Sequence, residues 1–579
     1  MGKARGPIWP RASTRLPSPL WGGSEGGGCM RAGEAWTMSD LITRLRGIVL
    51  SARLNSDHPA LGEWLANDVA FTSSSDRLEN RYYAAIAELH DCIKPTDVTG
   101  LILHEGGVYH GCWLESTGTI NTELMARFLP AIATETYSAF AAQQRDDGLI
   151  PYKITATGPA FAQIQLVTPL ARSVWNHYLL NGRDRAFLGQ MYRAMSRYDD
   201  WLARHRDTRG TGAVEAFCTY DTGHDLSARF WHVPDSPFGN DPTRYDPDSP
   251  ILPFIAPDLT ANVACQRAYL ARIATELGQP AQPWRDKAQR SLDALFAQCF
   301  DADDHFFYDR DRNGSQVRVQ SDVLLRVLAC EVGDDDFFAE ALRRYLLNTG
   351  KFFAKYPFTS MALDDPRFDP NFGQNSWSGP SNFLSIIRAA HAFEHHGRHV
   401  ELSWAQMPIL AALFDMESFP QTLSPFTGAA GYTTSYSPSI LALLDMVERL
   451  CGILPRPDGT LWFTGLVPRE VIHRHVDHQT AYRRIVDGHT FELLNDGVTA
   501  TIYRDGTQLY RFPHGIRLVT DRSGNVTGAI GMVARTVTGT VETPGGSIAL
   551  SAGPNEVLDF HAGTFIGVRP ADLISPSYA

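Results

Sequence analysis

Residues 258–278 read DLTANVACQRAYLARIATELG. Ala261, Ala264, Ala268, Tyr269, Ala271, Ile273 and Leu277 recur at the i, i+3, i+4 spacing of one helical face. Gly278 stands where a helix closes in the left-handed conformation. The same pattern returns near 120–145, 160–181, 184–206, 282–300, 319–332, 335–350, 380–397, 403–417 and 438–452. Some connections are short, such as Asn181-Gly182-Arg183 and Gly278-Gln279-Pro280. Others, at 207–257, 301–318, 351–379 and 418–437, are long and rich in aromatic, Asp, Pro and Gly residues. Long irregular loops in a compact domain usually carry function. Short turns alternating with long loops predict a mainly α fold of helical hairpins set in a ring, with a cleft built from the loops.

Outward from this region the pattern changes on both sides. After about residue 455, apolar and polar residues alternate between Asn-Asp-Gly, Arg-Asp-Gly and Ser-Gly-Asn turns, which predicts a small antiparallel β domain. Residues 38–115 read as mixed, with strand and turn over 98–112. Residues 1–37 are Gly-, Pro- and Ser-rich without periodicity and are expected to be a disordered extension. Met38 precedes SDLITRLRGIVL, where Ser39 or Asp40 caps a helix, so Met38 reads as the natural start. The expected domains are therefore 38–115, a helical unit at 116–454 and a β unit at 455–579.

Composition narrows the function. The 579 residues carry 52 basic and 64 acidic side chains, a net charge of −12, which disfavours nucleic acid or an anionic membrane as partner. No apolar run reaches the ~18 residues of a membrane span, and the first residues lack the apolar core of a secretory signal, so a cytoplasmic location is expected. The 8 cysteines contain no CxxC pair and most sit in apolar helical patterns, which reads as buried free thiols. No phosphate loop, serine elbow or EF-hand spacing occurs. Neither a cofactor nor a metal is expected.

The long loops and their borders hold Trp113, Glu115, Tyr220, Asp221, Asp225, Arg229, Trp231, Asp364, Asp365, Trp377 and Glu417. Aromatic rings beside carboxylates suit a carbohydrate, because sugar C–H faces stack on rings and hydroxyls bond to carboxylates. Glycoside hydrolysis needs two carboxyl groups, an acid for the leaving oxygen and a base or nucleophile across the ring.

Five segments resemble, in order, the trehalase-like and mannosylglycerate hydrolase-like glycosidase family. They are Trp113-Leu-Glu115-Ser, Asp147-Gly-Leu-Ile-Pro151, Tyr220-Asp-Thr-Gly-His-Asp225-Leu-Ser-Ala-Arg229, Asp365-Pro with Asn375-Ser-Trp377-Ser-Gly-Pro380-Ser-Asn382, and Ser424-Pro425-Phe-Thr427-Gly428. The resemblance implies an (α/α)6 toroid and an inverting, exo-acting glycosidase for an α-linked glycoside. It implies Asp225 as general acid, with Trp113, Glu115, Arg229, Trp377 and Asn382 on the sugar. Tyr220, Asp221 and Asp365 join these as substrate-side candidates.

The sequence departs from that family where the base should stand, four residues before Pro425: the residue there is Gln421. An amide takes no proton from water. Glu417, one helical turn upstream, is the first choice of base, with Glu115, Asp364 and Asp365 as alternatives. A sugar-binding chain that has lost its base is the rival reading, with Gln421 as a substrate contact. A polysaccharide lyase is a second rival, disfavoured because these segments are rich in carboxylates and poor in basic residues. Asp221 and Glu115 exchange the acid found at the matching family positions, which points to a substrate other than trehalose. His473-Arg-His475-Val-Asp477-His478 matches a metallohydrolase motif, yet it lies in a β-patterned segment near the end of the sequence and reads as chance.

Overall fold

A computed structural model describes residues 38–54, 57–165, 168–468 and 478–578. The expected extension at 1–37 and His473, His475 and Asp477 lie outside these residues.

The principal helices are α1 (Met38–Arg46), α2 (Asp76–Asp91), α3 (Pro130–Ala142), α4 (Leu170–Leu180), α5 (Arg185–His205), α6 (Pro257–Leu277), α7 (Gln282–Cys299), α8 (Val323–Leu328), α9 (Asp335–Ala341), α10 (Phe383–His395), α11 (His399–Asp415) and α12 (Ser437–Cys451). Local chemistry sets their ends. Pro257 opens α6 in its first turn, and Gly278 closes it at φ 73°. The Asp184 carboxylate caps α5 by accepting from the backbone N–H groups of Ala186 and Phe187. The expected helix at 120–145 is interrupted. Two short turns, Ser116–Ile120 and Asn121–Met125, stop before Pro130 starts α3. The expected helix at 160–181 starts only at Leu170, and Ala162, Gln163 and Gln165 ahead of it line a loop cavity instead.

Residues 116–125 lie against α4, α4 against α6, α6 against α8, α8 against α10, α10 against α12, and α12 back against residues 121–125. Every residue of α12 is buried. Its charged groups are therefore paired: Arg127 bonds to Asp445 and Glu448, and Arg449 to Asp445 and Glu394.

The C-terminal region is antiparallel β sheet. Its strands, with one from the N-terminal segment, are β1 (Ala70–Ser73), β2 (Ile453–Pro455), β3 (Thr460–Thr464), β4 (Thr480–Val486), β5 (His489–Asn495), β6 (Thr499–Arg504), β7 (Thr507–Pro513), β8 (Ile516–Asp521), β9 (Val526–Gly531), β10 (Val537–Thr543), β11 (Gly546–Ala552), β12 (Val557–His561) and β13 (Thr564–Arg569). They form a seven-stranded sheet ordered β1-β4-β5-β6-β7-β10-β11 and a six-stranded sheet ordered β2-β3-β8-β9-β12-β13. Asp505-Gly506 has φ values of 51° and 80°, so the β6–β7 turn takes the mirror-image form whose twist matches the strands. The N-terminal segment is less separate than expected. Strand β1 pairs with β4, Ala70 opposite Arg483, and becomes an edge of the C-terminal sheet. One hydrophobic core runs through α1, α2, α11, α12 and both sheets, and a second fills the space among α3–α8.

Seven cysteines, among the described residues, are buried free thiols. No helix among the described residues is long and apolar enough to cross a membrane.

Candidate active site

A cavity of about 320 Å³ opens among the loops and is lined by Glu105, Tyr109, Trp113, Glu115, Tyr152, Lys153, Gln163, Gln165, Tyr220, Asp225, Asn375 and Gln421, among others. Two chain segments bring its carboxylates together.

The first segment is 104–115. Its turn needs a glycine at 106, where φ is 85° and an added Cβ would lie 2.2 Å from the Ser435 carbonyl oxygen. That close approach seats Glu105 against the start of α12. The Tyr436 hydroxyl donates to Glu105 Oε1 at 2.6 Å. Glu105 is 5% exposed. Burial pushes its carboxyl up to about 8, with the nearby Glu115 and Asp225 adding to the rise and the Tyr436 bond opposing it.

The second segment is the loop 219–231, which carries Asp225. Asn375 Nδ2 donates to Asp225 Oδ2 at 2.7 Å, and the Trp377 backbone N–H donates to the Asp225 carbonyl oxygen at 3.1 Å. Burial and then the neighbouring Glu115 push the Asp225 carboxyl up to about 7, against the Asn375 bond. Glu115, at the end of the first segment, packs against the second. It packs so tightly on the loop that a Cβ at Gly223 would fall 2.0 Å from Glu115 Oε2. Burial raises the Glu115 carboxyl as well, but Arg326 at 3.5 Å and Arg388 at 3.3 Å offset it.

The rest of the lining is aromatic and amide. Tyr109 and Trp113 meet edge to face at 5.6 Å. Gln421 Oε1 accepts from the Tyr109 hydroxyl at 2.7 Å. Lys153 Nζ sits 5.0 Å from the Trp113 ring and 5.5 Å from that of Tyr152, and burial lowers its pKa. Tyr220 is pushed up to about 12 by burial and by the charge of Asp225.

The structure thus brings together Asp225, Glu115, Trp113, Tyr220 and Gln421 among the residues singled out from the sequence. It does not bring in the others. Arg229 is buried and its five N–H groups are engaged by Asp309 at 2.7–2.8 Å, Asp258 at 3.0 Å and His224 Nδ1 at 2.6 Å, so no donor is left for a sugar. Asp221 is buried on Arg206 and accepts backbone N–H groups of Ile164 and Phe217, which makes it an anchor of the loop. Trp377 is 0% exposed and packs between the His224 ring at 4.7 Å and Arg326 at 4.6 Å. Asn382 is buried and caps α10 by accepting the Leu384 N–H at 3.0 Å. Asp365 pairs with Arg367, and Asp364 with Lys351. Glu417 is exposed, and its carbonyl oxygen accepts from Arg81. The strand pairing of Asn382 with Thr422 fixes the 421–423 segment, so Gln421 and not Glu417 reaches the cavity.

Sequence reasoning passed over Glu105, Tyr109, Lys153 and Asn375 as site groups. The one local signal was His104-Glu105-Gly106-Gly107, an acid beside a glycine pair that lets two backbones touch.

Residues 109–439 match the family model described as the mannosylglycerate hydrolase MGH1-like glycoside hydrolase domain, more than half of the chain. No curated protein sequence matches. Among solved structures, the GH63 mannosylglycerate hydrolase from Thermus thermophilus in complex with Tris superposes with a TM-score of 0.54 at 18% identity, covering 62% of this chain and 98% of that one. The same enzyme in complex with glucose gives 0.53 at 18% identity, covering 63% and 99%. A GH78 family rhamnosidase of Bacillus sp. GL1 gives 0.50 at 11% identity, covering 74% and 40%. At these identities the superpositions speak to fold alone. The matched span holds Glu115 and the Asp225 loop, and it begins four residues after Glu105. The chain therefore belongs to the MGH1-like glycoside hydrolase family and is a glycosidase.

Proposed function

We propose that this glycosidase hydrolyses an α-linked glycoside at a chain end or in a small molecule, by single displacement, with Asp225 and Glu105 as the two carboxyl groups. The scaffold in this reading is an (α/α)6 toroid. The closed succession of packed neighbours from residues 116–125 through α4, α6, α8, α10 and α12 supports it.

The observation that carries the proposal is the pair of raised carboxyl groups that line one aromatic cavity. A glycosidase that inverts needs one proton between two carboxyl groups, donated to the leaving oxygen while the other group takes a proton from water. Asp225 is the acid on its motif, and Asn375 orients it. Glu105 takes the place left open by Gln421. The Tyr436 hydroxyl donates to Glu105 and stabilises its ionised form, the form a base needs. Trp113 and Tyr109 offer ring faces and edges to the sugar, and Glu115 offers carboxyl oxygens to a hydroxyl.

The test is hydrolysis of a glycoside panel by wild type, Asp225→Asn and Glu105→Gln, with the product anomer followed by NMR. Asp225→Asn should fail on poor leaving groups yet keep turnover of glycosyl fluorides, which need no acid. Glu105→Gln should fail on both, with azide restoring turnover of the fluoride. Unchanged kcat/KM in Glu105→Gln would remove Glu105 from the mechanism. A product that keeps the substrate's anomer would make the second carboxylate a nucleophile.

A further inference from the structure

We infer that Glu331, His391 and His395 form a binding site for a divalent transition ion of the zinc class, separate from the catalytic cavity. The three side chains each offer a ligand atom, and these atoms lie within 4.8 Å of one another. His391 and His395 are four residues apart on α10, so both project from one helical face. That i, i+4 pair is the spacing with which a helix presents two imidazoles to one metal. The third group comes from another element. Glu331 follows α8 with φ 62°, a conformation unusual for a non-glycine residue, and its Oε1 lies 2.9 Å from His391 Nε2.

Two further features favour an ion over a simple ion pair. Glu331 Oε1 also accepts from the Tyr269 hydroxyl at 2.7 Å, a contact of the kind that holds metal carboxylates in place. The three ligands also line a cavity of about 260 Å³, so solvent ions have access; Glu123, Glu394 and Asp458 add carboxylates to that lining, and Arg127, Arg172, Arg272, Arg449 and Arg456 add positive charge. Arg127, Arg449 and Arg456 are neutralised by Asp445, Glu448 and Glu394, whereas Arg172, which acts on both Glu123 and Glu331, and Arg272 oppose the dication and set a limit on its affinity.

The chemistry of the donors selects the ion. Two imidazoles and one carboxylate suit zinc, cobalt or nickel, and leave a fourth tetrahedral position for water. Magnesium and calcium prefer oxygen-only sets. Tetrahedral ligands at zinc distances lie roughly 3.3 Å from one another. Glu331 Oε1 and His391 Nε2, now hydrogen-bonded at 2.9 Å, would have to part by a few tenths of an ångström to take that spacing. Closure asks for a movement of His395, which is exposed at the end of its helix and has room for it. The site is remote from catalysis. Leu384 of α10 lines the catalytic cavity, while His391 and His395 stand about 10 and 16 Å further along the helix at 1.5 Å per residue. Bound metal would clip the end of α8 to the end of α10.

The test is calorimetric titration of tag-free full-length protein with zinc, and optical titration with cobalt. Wild type should bind one ion per chain in the micromolar range or tighter, with the intense visible absorption of tetrahedral cobalt. His395→Ala, at an exposed position that leaves the core intact, and Glu331→Gln should each weaken zinc by roughly 10-fold or more. Zinc should raise the Tm of wild type and not of His395→Ala. Absence of zinc binding by wild type, or binding by His395→Ala with unchanged affinity, would overturn the assignment.

Discussion

Glu105→Gln should make the protein more stable at alkaline pH while stopping it as a catalyst. The Glu105 carboxyl moves from an ordinary 4.5 to about 8 on folding, chiefly because it is buried. Between those values the folded state keeps a proton that the unfolded state has released. Stability therefore falls as pH rises across that window and stays lower above it. At about 1.4 kcal/mol per pH unit, holding Glu105 ionised costs the folded state at most about 5 kcal/mol. Coupling to Asp225 and Glu115 divides that cost among the cluster, so about 2–3 kcal/mol is the expected share on the same scale. Glutamine keeps the shape and still accepts from Tyr436, but it has no charged form. Urea unfolding of wild type and variant at roughly pH 4 and roughly pH 9 measures the effect. The variant should match wild type in acid, to within the ~0.5 kcal/mol typical of neutral changes, and exceed it in alkali. A difference between the two proteins that is the same at both pH values would refute a raised Glu105, and with it the reason to place Glu105 in the mechanism.

The pH dependence of kcat/KM should be a narrow bell. Asp225 and Glu105 are both raised well above the ordinary carboxylate range and titrate as a pair, losing their two protons in successive steps near neutral pH. Below both steps no base remains, and above both no acid remains. A plateau reaching down to the ordinary carboxylate range would contradict the pair. Arg229→Met should lower stability by about 3–5 kcal/mol in urea unfolding, because it strips the partner from buried Asp258 and Asp309. An unchanged Tm with a raised KM would instead make Arg229 a sugar contact.

Much of the fold was legible because its signals are local. The 3.6-residue pattern of α6, the Asp184 cap of α5 and the Asp-Gly turns of the β layer each act within a few residues. The exceptions are long-range. Nothing in Ala70–Ser73 announces that it pairs with residues 480–483, since a four-residue strand carries too little pattern to reveal its partner. The break before α3 was legible in Pro130 and went unread, because the apolar spacing on either side continues through it.

The site was half legible, and the missing half has a physical cause. Motif order placed Asp225, Glu115 and Trp113 because those residues face the cavity from their own loops. The same reasoning misplaced Arg229 and Trp377. A buried arginine that holds Asp258 and Asp309 reads in sequence like an arginine that holds substrate, although the two differ only in which way the guanidinium points. Glu417 was chosen because it stood near Gln421 in the chain, but an edge pairing of two residues, Asn382 with Thr422, fixes Gln421 at the cavity and leaves Glu417 outside. In the proposed mechanism the carboxylate that stands in for a base at 421 is Glu105, more than 300 residues away in the chain. Gly106 lets residue 105 touch the start of α12, and Tyr109, which bonds to Gln421, stands between the two positions. The amide at 421 and the acid at 105 are then two parts of one arrangement. A base at 421 would place a third unpaired carboxylate beside Glu105 and Asp225, raising all of them further, so a carboxylate at 105 and an amide at 421 keep the proton shared by two groups rather than three. On this argument Gln421→Glu should not raise the kcat/KM of the wild-type enzyme, and it should restore turnover only in the Glu105→Gln background.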